Sequence, residues 1–152
     1  YAIVSCPMIH FDENGDYKIG ITRSISPKKE DFVKSTPFCH APCMVRTIAY
    51  RKVGGYSISK RLLRVEDYHL WFKMYAAGYR GYNLSEPLYR MRDDRNAMNR
   101  RTFSNRLNET YVKHIGYKML QLPFYYQFFA VKPILIGLLP KPIYNYLRRK
   151  NA

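Results

Sequence analysis

Two adjacent carboxylates, Glu66 and Asp67, open a segment whose apolar residues recur at helical spacing and which ends before Gly78. The apolar stripe consists of Leu70, Trp71 and Met74. Asp67 precedes the first two of these by three and four residues, so a helix would turn its carboxylate inward, onto the same face. Acids in a first turn also stabilise a helix by roughly 0.3–1 kcal/mol through the macrodipole. The pair is therefore either a simple helix cap or a buried acid-base group that exchanges a proton with a ligand.

Short motifs flank this segment in a fixed order. They are Arg46, Gly54-Gly55-Tyr56, Ala77-Gly78-Tyr79 and Pro87-Leu88-Tyr89-Arg90. Each is common alone, but their order and spacing around Glu66-Asp67-Tyr68-x-Leu70-Trp71 resembles the acceptor half of family 2 glycosyltransferases of the GT-A fold. The resemblance covers residues 1–95, and it implies a protein that transfers a sugar from a nucleotide-sugar to an acceptor hydroxyl.

The resemblance also implies roles for individual residues. Asp67 matches the general base that deprotonates the acceptor hydroxyl, with Glu66 as its neighbour. The residues matched to substrate binding are Arg46, Gly54, Gly55, Trp71 and Arg90. A guanidinium at Arg46 can hold phosphate oxygens in a bidentate manner, although the same side chain can equally cover apolar surface with its stem. His40 is a candidate metal ligand, and the alternative is a histidine that belongs to the core.

Enzymes of this family hold the donor diphosphate through a divalent metal, Mg²⁺ or Mn²⁺, bound by an Asp-x-Asp motif. The 152 residues contain no such motif. We therefore expect the donor half to lie upstream of Tyr1 and this chain alone to be inactive. The chain also lacks the Gln/Arg-x-x-Arg-Trp motif of processive synthases after the acidic pair. The resemblance thus implies a single, inverting transfer in the synthesis of cell-surface polysaccharide or glycolipid, to a saccharide or lipid-linked acceptor.

The net charge of +15 is concentrated in the second part of the chain. Residues 1–50 hold six Lys and Arg against five Asp and Glu, whereas residues 51–152 hold twenty against six. Such a surface suits diphosphates, anionic lipid or nucleic acid, or is simply solvated. The competing function is a non-catalytic basic module that docks to an anionic membrane or to nucleic acid. No nucleic-acid-binding motif accompanies the charge, so we expect no nucleic-acid partner.

The hydrophobic content of 47% and the length allow one globular domain with a core. The patterns predict an α/β fold, a partial GT-A domain with a mixed sheet and helices over residues 1–95, followed by a helical, amphipathic extension over residues 96–152. Within the first part we expect a hairpin over residues 1–22 around Asn14-Gly15, a loop with one helical turn over 23–37, and a buried strand over 38–45.

Three cysteines, Cys6, Cys39 and Cys43, form an odd set without a paired framework, which favours a reducing compartment. The run Cys39-His40-x-x-Cys43 is compatible with zinc, but a fourth ligand at a recognisable spacing is missing.

The extension combines a cluster of cations from Arg90 to Arg106 with an apolar, aromatic tail after Met119. The longest uncharged run there, Met119–Val131, has thirteen residues, fewer than the ~20 that a spanning helix needs. Prolines interrupt the tail further. We expect it to lie in the membrane interface, on the inner face of the cytoplasmic membrane, or else to pack against protein.

Overall fold

The computed structural model describes residues 1–21, 24–92 and 102–138. The strands are β1 (Ile3–Ser5), β2 (Met8–Asp12), β3 (Gly15–Ile19), β4 (Met44–Val45), β5 (Gly81–Asn83) and β6 (Tyr89–Arg92). The α-helices are α1 (Thr47–Lys52), α2 (Glu66–Ala76), α3 (Phe103–Met119), α4 (Gln127–Ala130) and α5 (Lys132–Gly137). Single 3₁₀ turns occur at Lys29–Val33, Lys60–Leu62 and Phe124–Tyr126.

The strands form two three-stranded mixed sheets. In the first, β1 lies between antiparallel β4 and parallel β5, and in the second β2 lies between antiparallel β3 and parallel β6. The parallel partners of β1 and β2 both come after α2, so the chain crosses over through that helix. The predicted α/β class with a mixed sheet is confirmed, as is the single helical turn within 23–37.

Two strand predictions need correction. The hairpin spans only Met8–Ile19, and β1 belongs to the other sheet, because Pro7 lacks the backbone N–H that would continue one strand into the next. The strand expected over 38–45 is reduced to Met44–Val45. Its first part instead turns, with the Cys43 thiol and the Ser5 hydroxyl both donating to the carbonyl of Cys39.

Helix α2 lies at the centre of the core. Its predicted stripe of Leu70, Trp71 and Met74 is at most 1% exposed. The stripe predicts one buried face, but Phe72 on another face is buried as well. Helix α3 packs on that face, where Gly116 brings the α3 backbone against the Phe72 ring. A Cβ on Gly116 would lie 2.3 Å from that ring, so only glycine permits this approach.

Helix α3 belongs to the same core. Its residues Val112 and Tyr117 are fully buried, and the Tyr117 hydroxyl donates to the carbonyl of Val33 at 3.1 Å. The first part of the predicted extension is therefore a packing element. Among the residues described, no helix combines the length and apolarity needed to cross a membrane. Half of the cations between Arg90 and Arg106, namely Arg95, Arg100 and Arg101, lie outside the described residues, as does the tail from residue 139 onward.

Candidate functional site

The acidic pair occupies the first turn of α2. Glu66 is exposed to solvent, and Asp67 is half-buried. The amide groups of a first helical turn have no partners within the helix and carry partial positive charge, so acidic side chains in this turn stabilise the helix. The inward orientation predicted for Asp67 is thus realised in part: the residue stands at the edge of the core and not inside it.

Trp71 supports this turn from beneath. Its indole is 1% exposed and packs edge-on against Phe38, with ring centroids 5.7 Å apart, and against the imidazole of His40 at 6.3 Å. The Trp71 indole N–H is buried with no acceptor among the described residues. Because the ring is covered, Trp71 packs against the more exposed His40 and presents no face to solvent.

The Gly54-Gly55 turn ends α1 and adjoins α2. Both residues have positive φ, +73° and +57°, and their amides bond to the carbonyls of Arg51 and Tyr50. A Cβ on Gly55 would lie 2.8 Å from the Tyr50 ring. The ammonium of Lys73 donates to the Gly55 carbonyl, so the turn is attached to the helix that carries the acids.

The same turn places Tyr56 next to the acidic pair. Its backbone amide donates to the Tyr50 hydroxyl at 3.3 Å, and its ring meets those of Tyr50 and His40 edge-on, at 5.8 and 6.2 Å. Burial raises the pKa of the Tyr56 phenol, and the carboxylate of Asp67 raises it further. Tyr56, which is 40% exposed, thus presents an aromatic face within electrostatic reach of Asp67.

Cys43 lies on the same side of α2. Burial raises the pKa of its thiol to about 12, against a lowering hydrogen bond with Ser5, and the charge of Asp67 adds to the rise. A thiol with that pKa is protonated at neutral pH and is a poor nucleophile or metal ligand. Among the described residues, no three His, Cys, Asp or Glu side chains are grouped so as to hold a metal ion.

A cavity of about 540 Å³ opens beside Asp67, between the first turn of α2 and the start of α3. It is lined by Lys34, Ser35, Thr36, Arg64, Val65, Asp67, Tyr68, Asn105, Arg106 and Glu109. Sequence patterns did not identify this cavity, because its walls come from three separate segments. Tyr56 was also missed as a site residue, although its position directly after the glycine pair was a usable signal.

The two arginines matched to substrate binding lie elsewhere. Arg46 is exposed, and its Nε donates to the carbonyl of Tyr1 at 2.7 Å. Arg90 lies on β6 of the second sheet, where its guanidinium pairs with Asp16 and stands 4.9 Å from the centroid of the Phe11 ring. The structure therefore brings together Glu66, Asp67, Gly55, Trp71 and His40, whereas the contacts of Arg90 are with the β2–β3 hairpin.

Comparison with known proteins finds one informative similarity. Over all 152 residues the chain is 35% identical to a protein of Bacillus subtilis (strain 168) named "Putative glycosyltransferase EpsE". The chain spans about half of that protein's length, 54%. No family model and no solved structure matches the chain.

Proposed function

We propose that this chain is the acceptor-side part of an inverting family 2 glycosyltransferase with a GT-A fold, in which Asp67 is the general base. The observation that carries the proposal is the position of Asp67: half-buried, at the positive end of α2, on the wall of a cavity of about 540 Å³. The motif order around that helix and the name of the similar Bacillus subtilis protein support the same class.

In the proposed reaction an acceptor hydroxyl binds beside Asp67. The carboxylate takes the hydroxyl proton while the oxygen attacks the anomeric carbon of a nucleotide-sugar, and the nucleoside diphosphate leaves with the bonding electrons. Glu66, exposed in the same turn, adds negative charge without reaching the cavity wall. The aromatic face of Tyr56 offers an apolar surface for a sugar ring, next to the base.

The described part of this chain contains no group of side chains that could bind the metal of the donor site. There, His40 has the aromatic neighbours Tyr56 and Trp71 and no cluster of oxygen ligands. We propose that Mg²⁺ or Mn²⁺ and the nucleotide-sugar bind mainly to residues outside these 152, and that the chain alone transfers no sugar.

We further propose that the exposed aromatic surface of the carboxy-terminal helices attaches the protein peripherally to an anionic membrane, on the cytoplasmic face. Phe124 and Phe128 are 79% and 74% exposed, far more than residues of a core face. Leu135 on α5 and Leu138 directly after it are exposed apolar residues as well. Large exposed apolar patches mark interaction sites, and nearby lysines favour anionic headgroups.

The base is tested with Asp67→Asn in the full-length protein. Transfer is measured as release of nucleoside diphosphate from a panel of nucleotide-sugars, with membranes of the source organism as acceptor. We expect a loss of about 10²-fold or more, the scale for a positioned base, with folding retained. Glu66→Gln is the matched control, because it removes the neighbouring charge and leaves the base; it should lose far less. Near-normal transfer by Asp67→Asn would remove Asp67 from the mechanism, and no transfer by the parent protein with any donor would favour the non-catalytic docking module.

A further inference from the structure

The cavity beside Asp67 is richer in positive than in negative charge. Three cations line it, and each comes from a different segment: Lys34 follows the first 3₁₀ turn, Arg64 precedes α2, and Arg106 lies on α3. Two acids share the wall, Asp67 and Glu109. The volume of about 540 Å³ lies within the roughly 300–1,000 Å³ typical of sites for small molecules.

One of the two acids, Glu109, already pairs with cations of its own helix. Glu109 accepts from Arg106 at 3.4 Å, and its other oxygen lies 3.8 Å from the ammonium of Lys113, which is itself buried. Lys34 and Arg64, in contrast, are not within salt-bridge distance of any carboxylate that the structure describes. The cavity therefore keeps two cations whose charge is available to an anionic ligand.

Arg64 is held in an unusual backbone conformation. Its φ is +72°, in the left-handed region that side chains other than glycine, asparagine and aspartate seldom adopt. The preceding segment is fixed by α3, because the Asn108 amide donates to the carbonyls of Lys60 and Leu63 at 3.3 and 3.1 Å. Such conformations persist where the surroundings enforce them, and they concentrate at ligand sites.

We propose that this cavity binds a phosphate or diphosphate group carried by the acceptor, with Lys34 and Arg64 as its anchors. The inference rests on the proposed glycosyltransferase function and names the acceptor class. A guanidinium matches two phosphate oxygens at once, and a lysine supplies a mobile point charge. The carboxylate of Asp67 repels the phosphate, so in this proposal the anion binds beside Lys34 and Arg64 and the acceptor hydroxyl binds beside Asp67.

Binding is measured without turnover, by calorimetry on the whole protein at low salt, with inorganic pyrophosphate as probe. Divalent metal is left out, so that the metal-dependent donor diphosphate site that we propose outside these 152 residues does not contribute. We expect saturable binding that weakens about tenfold or more in Lys34→Gln and in Arg64→Asn, since each removes a charge-assisted contact. Asparagine is chosen at residue 64 because it tolerates positive φ, so the backbone conformation is retained.

A second cavity of the same volume supplies matched controls. It lies at the other end of α2 and is also lined by cations, including Lys29 and Arg80. Lys29→Gln and Arg80→Gln should leave pyrophosphate affinity within about twofold of the parent, the scale of an indirect surface effect. Equal weakening by the two pairs of variants, or no saturable binding by the parent, would overturn the proposal.

Further probes define the ligand and separate this proposal from the function on which it rests. If farnesyl diphosphate in detergent binds more tightly than pyrophosphate, the acceptor carries a lipid-linked phosphate. If the two affinities are equal, the acceptor phosphate is soluble. If glucuronate, an anionic sugar without phosphate, displaces pyrophosphate at equal concentration, the cavity does not select a phosphate group and the proposal is overturned. Asp67→Asn should retain pyrophosphate binding while losing transfer. A protein in which Asp67 is required for transfer but pyrophosphate does not bind is a glycosyltransferase without this anion site.

Discussion

The ammonium of Lys73 donates a hydrogen bond to the carbonyl oxygen of Gly55, which joins the last turn of α2 to the loop after α1. Burial partly desolvates the charge of Lys73 and lowers its pKa. The hydrogen bond to Gly55 therefore contributes more to stability than the same bond would at the surface. This contact attaches the glycine turn, which continues into Tyr56, to the helix that carries the acidic pair.

Lys73→Met keeps the unbranched stem of the side chain and removes the donor. We expect it to lower the free energy of unfolding by about 1–2 kcal/mol, since hydrogen bonds to charged groups contribute roughly 1.5–3 kcal/mol and part of the loss is restored by water. Urea denaturation measures the effect. Lys52→Met, at an exposed residue of α1, should change stability by no more than about 0.5 kcal/mol. Equal effects of the two variants would show that the bond to Gly55 contributes nothing.

The two glycines of the turn should respond differently to alanine. A Cβ on Gly54 meets no atom within 4 Å, so Gly54→Ala carries only the strain of positive φ, about 1–2 kcal/mol. A Cβ on Gly55 adds a contact of 2.8 Å with Tyr50, whose hydroxyl accepts from Tyr56. Gly55→Ala is therefore expected to unfold at clearly lower urea concentration than Gly54→Ala. The reverse order would contradict this account of the turn.

Buried His69 should make the protein less stable in mild acid. Burial lowers its pKa, the positive charge of Lys73 lowers it further, and its Nδ1 has no hydrogen-bond partner in the part of the chain that is described. Between the lowered folded pKa and about 6.5, the unfolded chain binds more protons than the folded one. The free energy of unfolding therefore falls as the pH drops through this window and levels off below both pKa values.

The pH effect is measured by urea denaturation at steps from pH 8 to pH 5, on the parent and on His69→Gln. The glutamine variant cannot take up the proton, so its stability should depend less steeply on pH below about 6.5, while both proteins give flat profiles above pH 7.5. Parallel profiles throughout the range would show that His69 does not titrate between the folded and unfolded states.

Helix α2 shows which structural features could be predicted from the sequence and which could not. Its start at Glu66, its end before Gly78 and its buried stripe all follow from local spacing, and the structure confirms them. The burial of Phe72 did not follow, because it depends on Gly116, more than forty residues away. The positive φ of Arg64 had no local signal either, since the residue is not glycine and the contact that fixes the neighbouring Leu63 comes from Asn108 of α3. The roles of the site residues stay predictions until variants are assayed.

The exposed aromatic residues of the carboxy-terminal helices lead to the last prediction, on membrane attachment. Phe124 and Phe128 contact each other, with ring centroids 6.4 Å apart, and both are mostly exposed. Burying a phenylalanine in an apolar phase contributes roughly 1.5–3 kcal/mol, so the double variant Phe124→Ser/Phe128→Ser should bind vesicles at least about tenfold more weakly. Because Leu120 and Leu122 belong to the core, point variants are a cleaner test than removal of the tail.

Flotation with vesicles of phosphatidylglycerol and phosphatidylcholine measures the binding. Attachment that uses cations should weaken between 0.1 and 1 M salt, because the screening length falls from about 10 Å to about 3 Å, while the aromatic contribution persists. Ile58→Ser is the matched control, since Ile58 is fully exposed but lies in the loop before the Lys60–Leu62 turn. If this control weakens binding as much as the double variant does, the helices do not dock to the membrane and their aromatic surface instead packs against protein. If vesicles of phosphatidylcholine alone bind equally well, the attachment does not use anionic headgroups.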